Sequence, residues 1–170
     1  TAYYQNQLSP YSAACAFKKL GKRAGKMFFM KLGQLPEQLR LSVTEDFKDG
    51  TYTLTFTQEL KPSAATPDPQ PQVIPIVTGL LNPNGDEVVP SRVLEVTEAE
   101  QSFSFEGLST RPVPSILRGF SAPVLLDGAP AKAHNAFLLA HDTDSFNRWE
   151  AGRNLAKSAL LAIIREGTAP

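Results

Sequence analysis

Side chains able to ligate a metal or act as a nucleophile are few. His134 and His141 are the only two histidines in 170 residues, and Cys15 is the only cysteine. The histidines stand too far apart to serve as ligands on adjacent helical turns, and no H-E-x-x-H motif or cysteine pair accompanies them. They read as exposed or capping residues. No G-x-S-x-G elbow and no phosphate loop appears. The run GKRAG (Gly21–Gly25) lacks a lysine–serine ending and a preceding strand. As a G-x-x-x-G it encloses Lys22 and Arg23 and does not lie in an apolar span. Glu95, Glu98, Glu100 and Glu106 form an acidic run. Glu98 and Glu100 would share one strand face and repel, so a solvated sheet face accounts for them better than a general acid and base. The residues therefore predict no catalytic group, no metal ligand and no cofactor held by this chain.

The least ordinary group is Lys18, Lys22, Arg23 and Lys26. Residues 1–36 hold six bases and no acid, which leaves 11 bases and 17 acids in the remainder of a chain with zero net charge. Such asymmetry fits a solvated helix face, a docking element for an acidic partner or membrane surface, or a remnant of a transit peptide. Nucleic acid is not expected, because Phe28 and Phe29 follow the bases rather than interleave with them.

Composition is that of a water-soluble domain, with 42% hydrophobic and 20% charged residues. No apolar run approaches the roughly 20 residues of a membrane span. One cysteine allows no internal disulfide, which favours a reducing, intracellular setting, organellar if the basic segment is a transit remnant.

The elements follow from periodicity. In residues 1–38, Ser9 can cap and Pro10 suits a first helical turn. Phe17, Leu20, Ala24, Met27 and Phe28 fall on one side of that helix. LRLSVTEDF and TYTLTFTQEL then alternate around Asp49–Gly50, the pattern of a β-hairpin with Leu39, Leu41, Val43, Tyr52, Leu54 and Phe56 inward. Lys61–Gln72, with four prolines, reads as an extended exposed connection. VIPIVTGLL resumes a strand, and Pro75 marks it as an edge strand or a bulge. After a turn at Asn84–Gly85 come EVVP, then SRVLEV and SFSFEG, with Leu94, Val96, Phe103 and Phe105 inward. APVLLD closes the set. About seven short strands at close spacing predict an antiparallel β-sandwich. From Thr143 or Asp144 the period switches to that of a helix. Phe146, Trp149, Ala156, Leu160, Ile163 and Ile164 form its apolar stripe, with Trp149 as an anchor in a helix–domain interface.

Between these lies RPVPSILRGFSAPVL (Arg111–Leu125), too broken for a helix and too proline-rich for a central strand. The string VLEVTEAEQSFSFEGLSTRPVPSILRGFSAPVLL (Val93–Leu126) resembles the β-sandwich domain of M1-family alanyl aminopeptidases, the aminopeptidase N type. So do YTLTFTQ (Tyr52–Gln58) and IPIVTGLLNPNG (Ile74–Gly85). TDSFNRWEAGRNLA (Thr143–Ala156) is similar to the start of that family's C-terminal helical domain. The resemblance covers about residues 39–165. It implies an Ig-like, non-catalytic domain set between a zinc peptidase domain and a helical superhelix. It also implies that Arg111, Pro112, Pro114, Arg118 and Pro123 form a structural crossover, with both arginines as surface or interdomain hydrogen-bonding residues. Zinc belongs to the full-length enzymes of that family. Their zinc motif and their G-x-M-E-N motif for the substrate amine are absent here, and residues 1–38 do not match.

The division expected is a basic helical extension at 1–38, an Ig-like sandwich at 39–130 and a helical segment at 131–170. Two functions fit. One is a spacer or interaction module within an aminopeptidase. The other is a stand-alone accessory subunit, derived from an aminopeptidase and docking to other protein chains through its terminal helices. The residues expected to dock are Lys18, Lys22, Arg23, Lys26, Phe146, Trp149, Leu160, Ile163 and Ile164.

Overall fold

The computed structural model describes residues 39–59, 62, 67–128 and 134–166. The helix expected within residues 1–38, with Lys18, Lys22, Arg23 and Lys26, lies outside them. So does part of the proline-rich connection, whose described residues 67–72 are exposed or half-buried and form neither helix nor strand.

The hairpin forms as its alternation predicts. β1 (Arg40–Lys48) and β2 (Thr51–Glu59) pair antiparallel from Lys48↔Thr51 to Arg40↔Glu59. Asp49 (φ 49°) and Gly50 (φ 75°) make the two-residue turn between them. Both are left-handed, the conformation whose twist matches the strands and for which Asp-Gly is favoured. Leu41, Val43, Tyr52, Leu54 and Phe56 are all buried on one face. Serine and threonine occupy most of the other, where Thr53 and Thr55 hydrogen-bond Ser104 and Ser102 across to the next strand.

The remaining strands are β3 (Ile74–Leu81), β4 (Glu87–Val96), β5 (Glu100–Phe105), β6 (Val113–Ile116) and β7 (Leu125–Asp127). They assemble into one sheet of order β5-β2-β1-β7 and another of order β4-β3-β6. The two sheets face each other across a core that joins Leu41, Leu54 and Phe56 to Ile74, Ile76, Leu94, Val96 and Ile116. All pairs are antiparallel except β1 with β7.

Three expectations need correction. First, β3 is not an edge strand; it lies between β4 and β6 and is buried throughout. Pro75 is tolerated because β6 pairs only with Thr78–Leu81. The missing N–H falls on the side of β3 where the next such donor, Val77 N–H, goes to Ser121 Oγ at 2.9 Å instead of to a strand. The register shifts come later, between Thr78 and Leu81. Second, EVVP and SRVLEV are one strand, β4. Its Pro90 lies on an edge strand and falls where the β3–β4 register shifts, between the pairs Thr78↔Arg92 and Leu80↔Val89. Third, the proline-rich crossover contains a strand of its own, β6, again at an edge and with Pro114 inside it.

After β6 the chain turns through a short 3-10 segment, Arg118–Phe120, and passes to the opposite sheet as β7. Leu117 (φ 62°), Gly119 (φ 61°) and Phe120 (φ 52°) are left-handed there. Two of these are not glycine, at a cost of about 1–2 kcal/mol each that the surrounding packing must offset. Helices α1 (Asn135–His141) and α2 (Ser145–Glu166) follow. Leu138 and Ala151 pack on Leu81, with Val113 and Phe137 beside them. The three-stranded sheet is thus covered by strands on one face and by helices on the other.

Candidate interdomain joint and docking face

The crossover delivers Arg118 to the seam between sheet and helices. Its side chain is only 3% exposed. A buried guanidinium must find acceptors for its donors, and here four residues from three separate parts of the chain supply them. Nε donates to Ser115 Oγ of β6 at 2.7 Å. Nη1 donates to Ser91 Oγ of β4 at 2.8 Å and to the Glu87 carboxylate at the start of β4. Nη2 reaches Asp142 Oδ1, at the corner between α1 and α2, at 3.4 Å. The group lies flat over Gly79 of β3, where an added Cβ would overlap the guanidinium carbon. Glycine is required at Gly79 by that close approach.

Asp142 is buried and joins the two halves of the seam. Its Oδ2 accepts from Ser115 Oγ at 2.6 Å. Its Oδ1 also accepts the Asp144 N–H at 2.9 Å, and Asp144 in turn caps α2 by accepting the Asn147 N–H at 2.9 Å. Asn147, buried on α2, donates from Nδ2 to Ser115 Oγ at 2.8 Å and to the Ile116 carbonyl at 2.9 Å. The first turn of α2 is therefore fixed to β6 by hydrogen bonds more than by apolar packing. Of the two roles left open for Arg118, the surface one is overturned: the residue is interior, and its bonds run between the sheet and the helix corner. Its neighbours Pro112 and Pro114 are buried, and Pro123 is half-buried. Arg111 is on the surface and pairs through Nη2 with Glu45 Oε1 at 2.8 Å.

A second polar centre surrounds that Glu45, an inward-facing acid at the end of the core. Tyr52 donates its hydroxyl to Glu45 Oε2, and His134 Nε2 lies 3.6 Å from Oε1. Burial, followed by the hydrogen bond to Glu45 and its charge, holds the Tyr52 hydroxyl far above the ordinary tyrosine range. His134 precedes α1, so the hairpin, the entry to β6 and the entry to the helices converge on one carboxylate.

The apolar stripe of α2 is placed differently from expectation. Trp149 is 59% exposed, Leu160 60% and Ile164 76%, and Ile163 is exposed as well. Only Phe146 of the stripe is half-buried, with its ring 5.2 Å from that of Phe120 and 5.8 Å from that of Trp149. Trp149 is therefore not a buried anchor within this chain. The helix packs on the sheet through Asn147 and Ala151, which lie on its opposite side.

Sequence reasoning missed Asp142, Asn147, Ser115 and Glu87 as members of the joint, and missed Gln58. Gln58 occupies an inward position after Tyr52, Leu54 and Phe56. It donates to the carbonyls of Gln72 at 2.8 Å and Glu98 at 3.0 Å, and accepts the Gln72 N–H at 2.8 Å. A polar residue in the inward phase of an alternating strand was the available signal. Among the described residues no group of three His, Cys, Asp or Glu side chains could hold a metal ion, and no helix is long and apolar enough to cross a membrane.

Comparison with known proteins agrees with this architecture. The family model described as "Domain of unknown function (DUF3458) Ig-like fold" matches residues 38–129. Its companion, "Domain of unknown function (DUF3458_C) ARM repeats", matches residues 132–170. Aminopeptidase N of Escherichia coli is 37% identical over 128 residues, which are 68% of this chain and 14% of that protein. Aminopeptidase N of Haemophilus influenzae is 35% identical over 130 residues, 72% of this chain and 15% of the relative. Among solved structures, aminopeptidase A of Legionella pneumophila in complex with aspartic acid superposes with a TM-score of 0.63 at 32% identity, covering 75% of this chain and 14% of that one. The chain thus spans about a seventh of the length of these relatives. It belongs to the DUF3458 family, the Ig-like domain followed by ARM-repeat helices that it shares with the aminopeptidase N proteins.

Proposed function

We propose that this chain is a non-catalytic spacer: an Ig-like sandwich that holds the first helices of a helical array at a fixed angle. The observation that carries the reading is the buried Arg118–Asp142 contact, with Ser115 and Asn147 completing it. A flexible tether would need none of these bonds. Domains in small contact move relative to one another by default, whereas directional bonds to a desolvated charge have one good geometry. Ligand chemistry, zinc and peptide-bond cleavage belong on this reading to other parts of a longer aminopeptidase. The single cysteine of the sequence suits a reducing compartment of a cell or organelle.

Unfolding of the full chain in urea tests the spacer reading. Trp149, the only tryptophan, reports on α2, while circular dichroism in the β region reports on the sandwich. One coincident transition is expected, because the joint makes helices and sheet a single cooperative unit. A helix signal lost well before the sheet signal would overturn it.

The second reading, an accessory subunit of a multiprotein assembly, is favoured by one observation, the uncovered apolar stripe of α2. Native mass spectrometry of the endogenous protein, with metal content, separates the two. A much heavier zinc-containing chain supports the spacer; an 18.5 kDa chain inside a zinc-free particle supports the subunit.

A further inference from the structure

We infer that Asn84 is a modification site, where the side-chain amide closes spontaneously on the backbone nitrogen of Gly85 and ages into isoaspartate, loosening the turn that carries Glu87 to the joint. The inference does not depend on the spacer reading.

The chain has six asparagines, and Asn84 is the one followed by glycine. Asparagine is among the residues that proteins lose chemically when warm. Attack on its amide is least hindered when the next residue has no side chain and turns freely. Asn82 is excluded, since Pro83 has no N–H to give up. Asn135 and Asn147 are buried, and the carboxamides of Asn147 and Asn154 donate to Ile116 and Glu150. Asn84 is exposed, and among the described residues its carboxamide has no hydrogen bond. The reaction needs water and room for a small ring, not a free surface.

The turn between β3 and β4 is braced by Asn82. Its Oδ1 accepts the N–H groups of Asn84 and Asp86, each at 2.9 Å, and its Nδ2 donates to Asp86 Oδ2 at 3.0 Å. Its carbonyl accepts the Gly85 N–H at 3.0 Å. That last bond occupies the attacking nitrogen, so the turn must open locally before the ring closes. Asn82 is therefore a brake on the reaction as well as a brace.

In the first step the Gly85 nitrogen bonds to Asn84 Cγ, the Cγ–Nδ2 bond breaks, and ammonia leaves with the proton that the Gly85 N–H gave up. Solvent water then opens the succinimide. Cleavage between the nitrogen and Cγ gives aspartate; cleavage between the nitrogen and the main-chain carbonyl carbon gives isoaspartate. Isoaspartate puts one more methylene into the main chain, and either product adds a carboxylate beside Asp86 and Glu87. The turn has no slack for this. A Cβ added at Gly85 would lie 2.7 Å from Nδ1 of His141, at the end of α1. Glu87 begins β4 and bonds Arg118. A longer turn must press on His141 or draw Glu87 from the guanidinium.

The test holds the full chain in warm, mildly alkaline buffer and follows its peptides by mass spectrometry, with fragmentation that separates isoaspartate from aspartate. Asn84 is expected to convert several-fold faster than any other asparagine, to give both products, and to convert faster as pH rises, because the nitrogen must shed its proton. Asn82→Ala removes the side-chain brace and should speed conversion several-fold, while Asn84→Gln should abolish it. The urea midpoint of the aged chain should fall; that of Asn84→Gln aged beside it should not. An intact Asn84, faster conversion at another asparagine, aspartate without isoaspartate, a rate unmoved by Asn82→Ala, or an aged chain as stable as the fresh one would each overturn the proposal. The spacer reading is judged on fresh protein, so neither result decides the other.

Discussion

Arg118 is buried with two carboxylates around it, so its charge cannot be removed without exposing a deficit. Arg118→Met should destabilise the chain by about 3–5 kcal/mol, because Asp142 would be left as an uncompensated buried charge. Arg118→Lys should not restore the loss, since one ammonium cannot reach Ser115, Ser91, Glu87 and Asp142 together. Gly79→Ala should also destabilise, by displacing the guanidinium. Urea midpoints of the three variants check these effects together. Thr78 presents the opposite case. It is wholly buried in the central strand and its Oγ1 has no hydrogen-bond partner. Thr78→Val removes that unsatisfied group at nearly equal volume and should stabilise by about 1 kcal/mol. Tyr52 sets a limit at high pH. Its neutral form is favoured in the folded state, so its contribution is intact below the unfolded tyrosine value of about 10 and is lost as pH rises beyond it. The wild type should therefore lose stability progressively in strong alkali, and Tyr52→Phe should flatten that part of a stability–pH curve. An unchanged slope would show that Tyr52 does not govern it.

Helix α2 begins where Asp144 accepts the Asn147 N–H, next to the bonds that tie the Asn147 side chain to β6. Asp144→Ala should cost about 1 kcal/mol, measured by thermal unfolding, as for other N-caps. Trp149→Ala should change the stability of the chain by no more than about 0.5 kcal/mol, because its ring is mostly in solvent. A loss of several kcal/mol would mean that the stripe is covered. Elements whose pattern is local were legible in the sequence. Alternation and Asp49–Gly50 fix the first hairpin, and Asp144 was one of two candidate caps for α2. The stripe of α2 was also legible, but not its direction. Periodicity reports which residues share a face; it does not say whether that face meets this chain or another. The face that does meet the sheet carries Asn147 and Ala151, a polar and a small residue that no hydrophobic pattern would select. β6 was hidden for a related reason. Two prolines close together argue against a ladder, and only its edge position makes Pro114 harmless.

At the scale of the whole molecule, the layers are sheet, sheet and helices, and the central strand of the middle sheet, β3, is buried on both faces, while its edge strand β4 is largely exposed. The resemblance of separated strings carried the Ig-like fold, which the family match bears out. The joint was not legible, because its members are scattered from Glu87 to Asn147 and each is unremarkable alone. Only the crossover brings them together. The pairing of β7 with β1 has a temporal consequence. β1 forms its hairpin at once with β2, but its other edge stays open until Leu125–Asp127 reach it, since Arg40 pairs with Leu125 and Leu126 with Leu41. During synthesis the whole stretch from the hairpin to the crossover must leave the ribosome before that edge is sealed. A nascent chain stalled short of Leu125 would leave that edge of β1 unpaired, a template for mispairing with its neighbours. The three residues of β7 thus act as a late clasp, and the vulnerable moment for this protein falls before they emerge.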